Sequence, residues 1–115
     1  MKAKAARAAA GLWLAQRASA GVLGLCVTVH LATMIYAVRG GLSAGEILGR
    51  TSGSTGWFAF YTVFVLAVAV HVPIGLRAVL IEWAGWRGRG RDAALAALAL
   101  LLLYFGMRAV TAVFR

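Results

Sequence analysis

Ala20 to Val38 reads AGVLGLCVTVHLATMIYAV, 19 consecutive residues without a formal charge. A helix rises 1.5 Å per residue, so this run is long enough to cross an apolar layer about 30 Å thick. It is the first expected membrane span. Lys2, Lys4 and Arg7 precede it as they would in a signal peptide. The run is longer than a signal's apolar core, however, and no small-x-small cleavage site follows it, so it is read as a helix of the mature chain. Working outward, the 21 residues from Gly56 to Leu76 are uncharged and the apolar character continues past Arg77 to Trp83. A third run, Ala93 to Phe114, is broken only by Arg108 near its end, where a long side chain can snorkel to the head groups. Gly40 to Thr55 is rich in Gly and Ser and reads as a connection, with Ser43-x-x-Glu46 as a capping box for a short interfacial helix. Trp86 to Asp92, WRGRGRD, reads as a tight basic turn, and Trp57, Tyr61, Trp83 and Trp86 are spaced like interfacial aromatic belts.

The fold class expected is therefore all-α, an integral membrane bundle of three transmembrane helices over about 20–38, 56–83 and 93–114, in a single domain, 1–115. Composition agrees: 63% of residues are hydrophobic and 13% charged, which excludes an ordinary soluble globule. One Cys excludes a disulfide framework and a Cys-based metal site; Cys26 reads as a small packing residue. The net charge of +9 comes from basic residues bunched between the spans. Lys2, Lys4, Arg7, Arg17, Arg87, Arg89 and Arg91 fall on one side and Arg39, Arg50 and Arg115 on the other, which puts the N-terminus in the cytoplasm. The lipid bilayer accounts for this charge pattern. No nucleic acid is expected as a partner, because no basic helix or aromatic-interleaved basic strand exists.

Both histidines lie inside spans, where an ionisable group needs a partner or a purpose. Counted from Ser19 at the start of the first span, and from Trp83 at the end of the second, His30 and His71 are each about 17 Å deep. Two imidazoles at one level on antiparallel helices can serve one metal centre, so His30 and His71 are the candidate metal ligands. Residues 11 apart return to nearly the same helix face, which places Ser19 under His30 and Glu82 under His71. Gly75, one turn from His71, would leave flat space for a planar macrocycle, and Pro73 would loosen the local hydrogen-bond ladder. Haem fits this pattern better than zinc, which usually takes four N, S or O ligands. The bland alternative, histidines that only bond neighbouring helices, stays open on the residues alone.

His71-Val-Pro-Ile-Gly75-Leu-Arg77 followed by Glu82-Trp83 resembles the H-x-x-x-G-x-R motif, with an acidic residue 11 after the His, of the cytochrome b membrane-anchor subunits of succinate dehydrogenase and fumarate reductase. Gln16-Arg17-Ala18-Ser19-Ala20-Gly21 is similar to the H-R-x-S-G sequence that opens helix one there, with Gln16 in place of His and Trp83 in place of the Phe or Tyr after the acidic residue. The resemblance covers nearly the whole chain. It implies that His71 is an axial ligand of haem b, and that Ser19 and Arg17 lie at a ubiquinone pocket near the cytoplasmic face, where Arg17 also meets a haem propionate. Glu82 and Trp83 complete the candidate cofactor-binding set, Glu82 as the link to solvent protons. His30 would share that haem, serve a second haem with a partner chain, or pack.

The function so implied is that of the haem b and quinone-site anchor of a succinate:quinone oxidoreductase. Its partners would be a flavoprotein subunit, an iron-sulfur subunit and a second small membrane-anchor subunit, in the inner membrane of a bacterium. The chain itself lacks a flavin or nucleotide motif and a Cys cluster, so dicarboxylate chemistry is not expected in it. The rival readings are another small b-type membrane cytochrome and a haem-free anchor or assembly protein.

Overall fold

The computed structural model describes all 115 residues and is entirely helical. Helix α1 runs from Lys2 to Arg39, α2 from Ala44 to Thr51, α3 from Thr55 to Ala84 and α4 from Arg89 to Phe114. Helices α1, α3 and α4 are each long and apolar enough to cross a membrane, as the uncharged runs require. The molecule is 55 Å long and about half as wide, so its length is that of one extended helix: 38 residues in α1 span about 57 Å.

Helix α3 is central, with α1 and α4 packed on it. Small residues make the close contacts. Gly106 of α4 lies where a Cβ would come within 2.5 Å of Val65 Cγ1, so α3 and α4 touch nearly backbone to side chain. Cys26 of α1 is buried, in keeping with a packing role. Pro73 sits inside α3 without ending it, although proline removes one amide donor from the ladder.

The connections obey local chemistry. The capping box forms as the spacing predicts: Ser43 Oγ accepts from Glu46 N at 3.2 Å, and Glu46 Oε2 accepts from Ser43 N at 2.6 Å. Just past α2 the chain reaches the end of α4. Thr51 Oγ1 donates to Val113 O (2.8 Å), Gly53 N to Phe114 O (2.7 Å) and Ser52 Oγ to Arg115 O (2.7 Å), which satisfies carbonyls a helix end leaves open. At the opposite, basic end Gly85 takes a left-handed conformation (φ 62°) and Trp86 N bonds back to Leu80 O, a glycine-terminated helix stop. Helix α4 begins at Arg89, inside the segment expected to be turn, because Asp92 in its first turn favours a helix N-terminus. Arg91 is buried there and bonds Asp92 Oδ1 through Nε and Nη2, at 2.9 and 2.6 Å.

Candidate functional site

Antiparallel packing of α1 on α3 makes two polar clusters in an otherwise apolar seam. In the first, Ser19 Oγ lies 3.3 Å from His71 Nδ1. Ser19 is 93% buried in its setting, at 7% relative exposure, and its hydroxyl donates to Gln16 O at 3.1 Å. A serine has one proton to give, so toward His71 its oxygen accepts. With the serine proton on Gln16 O, the tautomer of His71 that completes the pair carries its proton on Nδ1 and leaves the Nε2 lone pair free. Gln16 turns its carboxamide over Gly75: Nε2 stands 3.1 Å from the position a Gly75 Cβ would take. Its Oε1 is buried with no hydrogen-bond partner. The flat space expected beside Gly75 is thus filled by a side chain of α1.

The second cluster surrounds His30. Its Nδ1 is 3.3 Å from Tyr61 Oη, and the rings of Tyr61 and Phe64 present edges to it at centroid distances of 5.9 and 5.8 Å. The Tyr61 hydroxyl makes no other hydrogen bond, so it is the one polar partner of this imidazole. His30, Tyr61 and Thr51 edge a groove of about 670 Å³ otherwise walled by apolar residues of α2, α3 and α4, among them Leu48, Val68, Phe105 and Val110.

These contacts correct the expected depths. Ser19 is level with His71 and Tyr61 with His30, so the two imidazoles lie 10 to 11 residues apart along the helices, roughly 15–16 Å. No single iron meets both. The expectation failed because the start of an uncharged run marks where a chain may enter lipid, whereas register is set by which side chains interlock. Helix α1 extends 17 residues before Ser19, and its partner on α3 at that point is His71. For the same reason Ser19 does not share a level with Glu82, which is 11 residues further along α3, about 16 Å away.

Of the other candidate residues, Arg17 is exposed, with its guanidinium 5.4 Å from the Trp13 ring centroid. Glu82 is exposed and Trp83 is 85% exposed; the fold brings neither to the His71 cluster. Tyr61, beside His30, and Gln16, beside Gly75, are the polar neighbours that sequence reading did not set at these points of the seam. A usable signal existed: once Ser19 is set opposite His71, antiparallel numbering places Gln16 beside Gly75 and His30 near Tyr61. No three His, Cys, Asp or Glu side chains converge, so His71 and His30 each offer a single imidazole from this chain.

Comparison with known proteins agrees with this architecture. The sequence profile of a family described as succinate dehydrogenase/fumarate reductase transmembrane subunit matches residues 2–107. A succinate dehydrogenase hydrophobic membrane anchor subunit from Archaeoglobus fulgidus is 34% identical over 94 residues, covering 81% of this chain and 80% of that one. No solved structure matches.

Proposed function

The chain belongs to the succinate dehydrogenase/fumarate reductase transmembrane subunit family, and from that membership we propose that it carries haem b on His71 and forms part of a quinone site, passing electrons from an iron-sulfur subunit to quinone. As a membrane anchor it is a subunit of an enzyme complex, and the dicarboxylate chemistry belongs to its catalytic partners.

The observation that carries the haem assignment is the Ser19 to His71 contact. Metal-bound histidines characteristically donate their second ring N–H to a fixed acceptor, which sets the tautomer and orients the ring. Ser19 does this for Nδ1, itself held by Gln16 O, so Nε2 is left as a ligand. Bound to His71, a haem b supplies one-electron transfer. A bis-histidine site needs its second ligand from another chain, because His30 is too far along the seam. That requirement supports a second small anchor subunit, or a second copy, as partner. His30 is assigned to packing at the mouth of its groove, where Tyr61 Oη is 3.3 Å from Nδ1 and the Tyr61 and Phe64 rings meet it edge-on.

We put the quinone site on the same side of the molecule as the basic end, for which the Lys and Arg distribution favours the cytoplasmic face of a bacterial inner membrane. Arg17 supplies positive charge near the reduced quinone oxygen. Ser19, whose proton is already given to Gln16 O, acts by orienting His71. The iron-sulfur and flavoprotein subunits dock at the cytoplasmic end, where Lys2, Lys4, Arg7, Arg87 and Arg89 are exposed.

The test is purification in mild detergent on a tag carried by this chain. The expected preparation contains flavin, iron-sulfur clusters and haem, and reduces quinone with succinate. A flavin-free and iron-free preparation that stays monodisperse contradicts the reading.

A further inference from the structure

We propose that the Gln16 carboxamide is the direct hydrogen-bonding contact for the quinone oxygen. This inference rests on the quinone-site reading above and names its polar residue.

Gln16 Oε1 is the one buried side-chain polar atom of the molecule without a hydrogen-bond partner. Leaving such an acceptor dry costs about 1–3 kcal/mol, so a retained orphan calls for a donor from outside the chain. Its neighbours do not provide one. Ser19 Oγ is engaged by Gln16 O and His71 Nδ1, and Gly75, where a Cβ would come 3.1 Å from Gln16 Nε2, has no side chain to offer. A buried water needs two to four polar partners, and with Ser19 and His71 engaged by each other it would find essentially one. A quinol hydroxyl needs one acceptor, and its ring covers the surrounding apolar surface.

The chemistry of the carboxamide fits both redox states. Its oxygen accepts from a quinol O–H. Its NH₂ donates to a quinone C=O after a half-turn about the last side-chain bond. Neither exchange requires Gln16 to gain or lose a proton. Gly75 makes room for this group, since a Cβ there would press on Gln16 Nε2 at 3.1 Å. The side chain as a whole is half-buried while Oε1 is covered, so a ligand from lipid meets that oxygen only as the carboxamide turns outward.

Two variants of the intact complex test the proposal. Gln16→Met keeps the length of the side chain and removes both hydrogen-bonding atoms. It should raise the KM for quinone about tenfold, the equivalent of one hydrogen bond of about 1.4 kcal/mol, with kcat within about twofold. Gly75→Ala displaces the carboxamide without deleting it and should raise the same KM severalfold. In both, haem per flavin and succinate oxidation by an artificial acceptor upstream of the anchor should match wild type. An unchanged quinone KM in assembled Gln16→Met overturns the proposal. Should that variant fail to assemble, an unchanged KM in Gly75→Ala overturns it. Absence of quinone reduction by the wild-type complex would instead defeat the functional reading on which the proposal stands.

Discussion

At the scale of single residues, the seam between α1 and α3 gives each histidine its own polar partner, Ser19 for His71 and Tyr61 for His30. Ser19→Ala removes the acceptor for His71 Nδ1–H, and loss of a hydrogen-bond partner behind a metal-bound histidine typically costs about 10–100-fold in metal affinity. Haem per flavin should therefore fall in Ser19→Ala while the complex still assembles, measured by the reduced-minus-oxidised spectrum. His30→Ala should leave haem per flavin unchanged, because its imidazole is turned to Tyr61 and Phe64. Sequence reading singled out His71, Ser19 and Gly75, since polar residues and glycine stand out in an apolar run. It misjudged who meets whom. Depth counted from a charge boundary carries no information on interhelix register, so His30 was set level with His71 and Gln16 was not linked to Gly75.

At the scale of elements, small residues decide how closely helices approach. A Cβ at Gly106 would lie 2.5–3.3 Å from three atoms of the Val65 side chain, and β-branched valine has little freedom to move aside. Gly106→Ala should destabilise the α3–α4 pair by about 1–3 kcal/mol through overpacking, read as a lower midpoint of thermal unfolding in detergent. The capping box of α2 makes a pH prediction. Glu46 is held below the ordinary carboxylate range first by the Ser43 backbone N–H, then by the Ser43 hydroxyl, with a further contribution from Arg50. A lowered folded-state value stabilises the helix above the ordinary carboxylate pKa and loses that effect as pH falls through the lowered one. The protection of amides in the first turn of α2, relative to an unstructured peptide at the same pH, should thus fall below about pH 4, and Ser43→Ala, which costs about 1 kcal/mol of local helix stability, should lower that protection at neutral pH as well. This helix was legible in advance because its signal is local, a Ser and a Glu three residues apart. The early start of α4 was not, because a run of Arg and Gly reads as turn until Asp92 is recognised as a first-turn acid.

At the scale of the whole molecule, 8 of 115 residues are buried, far too few for a chain that stands alone, so most of its apolar surface must meet lipid or other subunits. Three spans were legible because uncharged runs of about 20 residues have few other uses. Partner surfaces were not, since faces turned to lipid and faces turned to another helix have the same composition. Expressed without its partners, the chain should not persist as a monodisperse monomer, because the Gln16 carbonyl would stay unpaired in an apolar medium; size-exclusion chromatography with light scattering checks this. The central claim is that His71 carries the haem of an electron-transferring anchor. Its most direct test is the ratio of low-spin haem to flavin, from the reduced-minus-oxidised visible spectrum, in wild-type and His71→Ala complexes of equal subunit content. The account predicts a stoichiometric ratio in wild type and loss of the haem signal in His71→Ala. Equal haem per flavin in the two, or none in wild type, would contradict it.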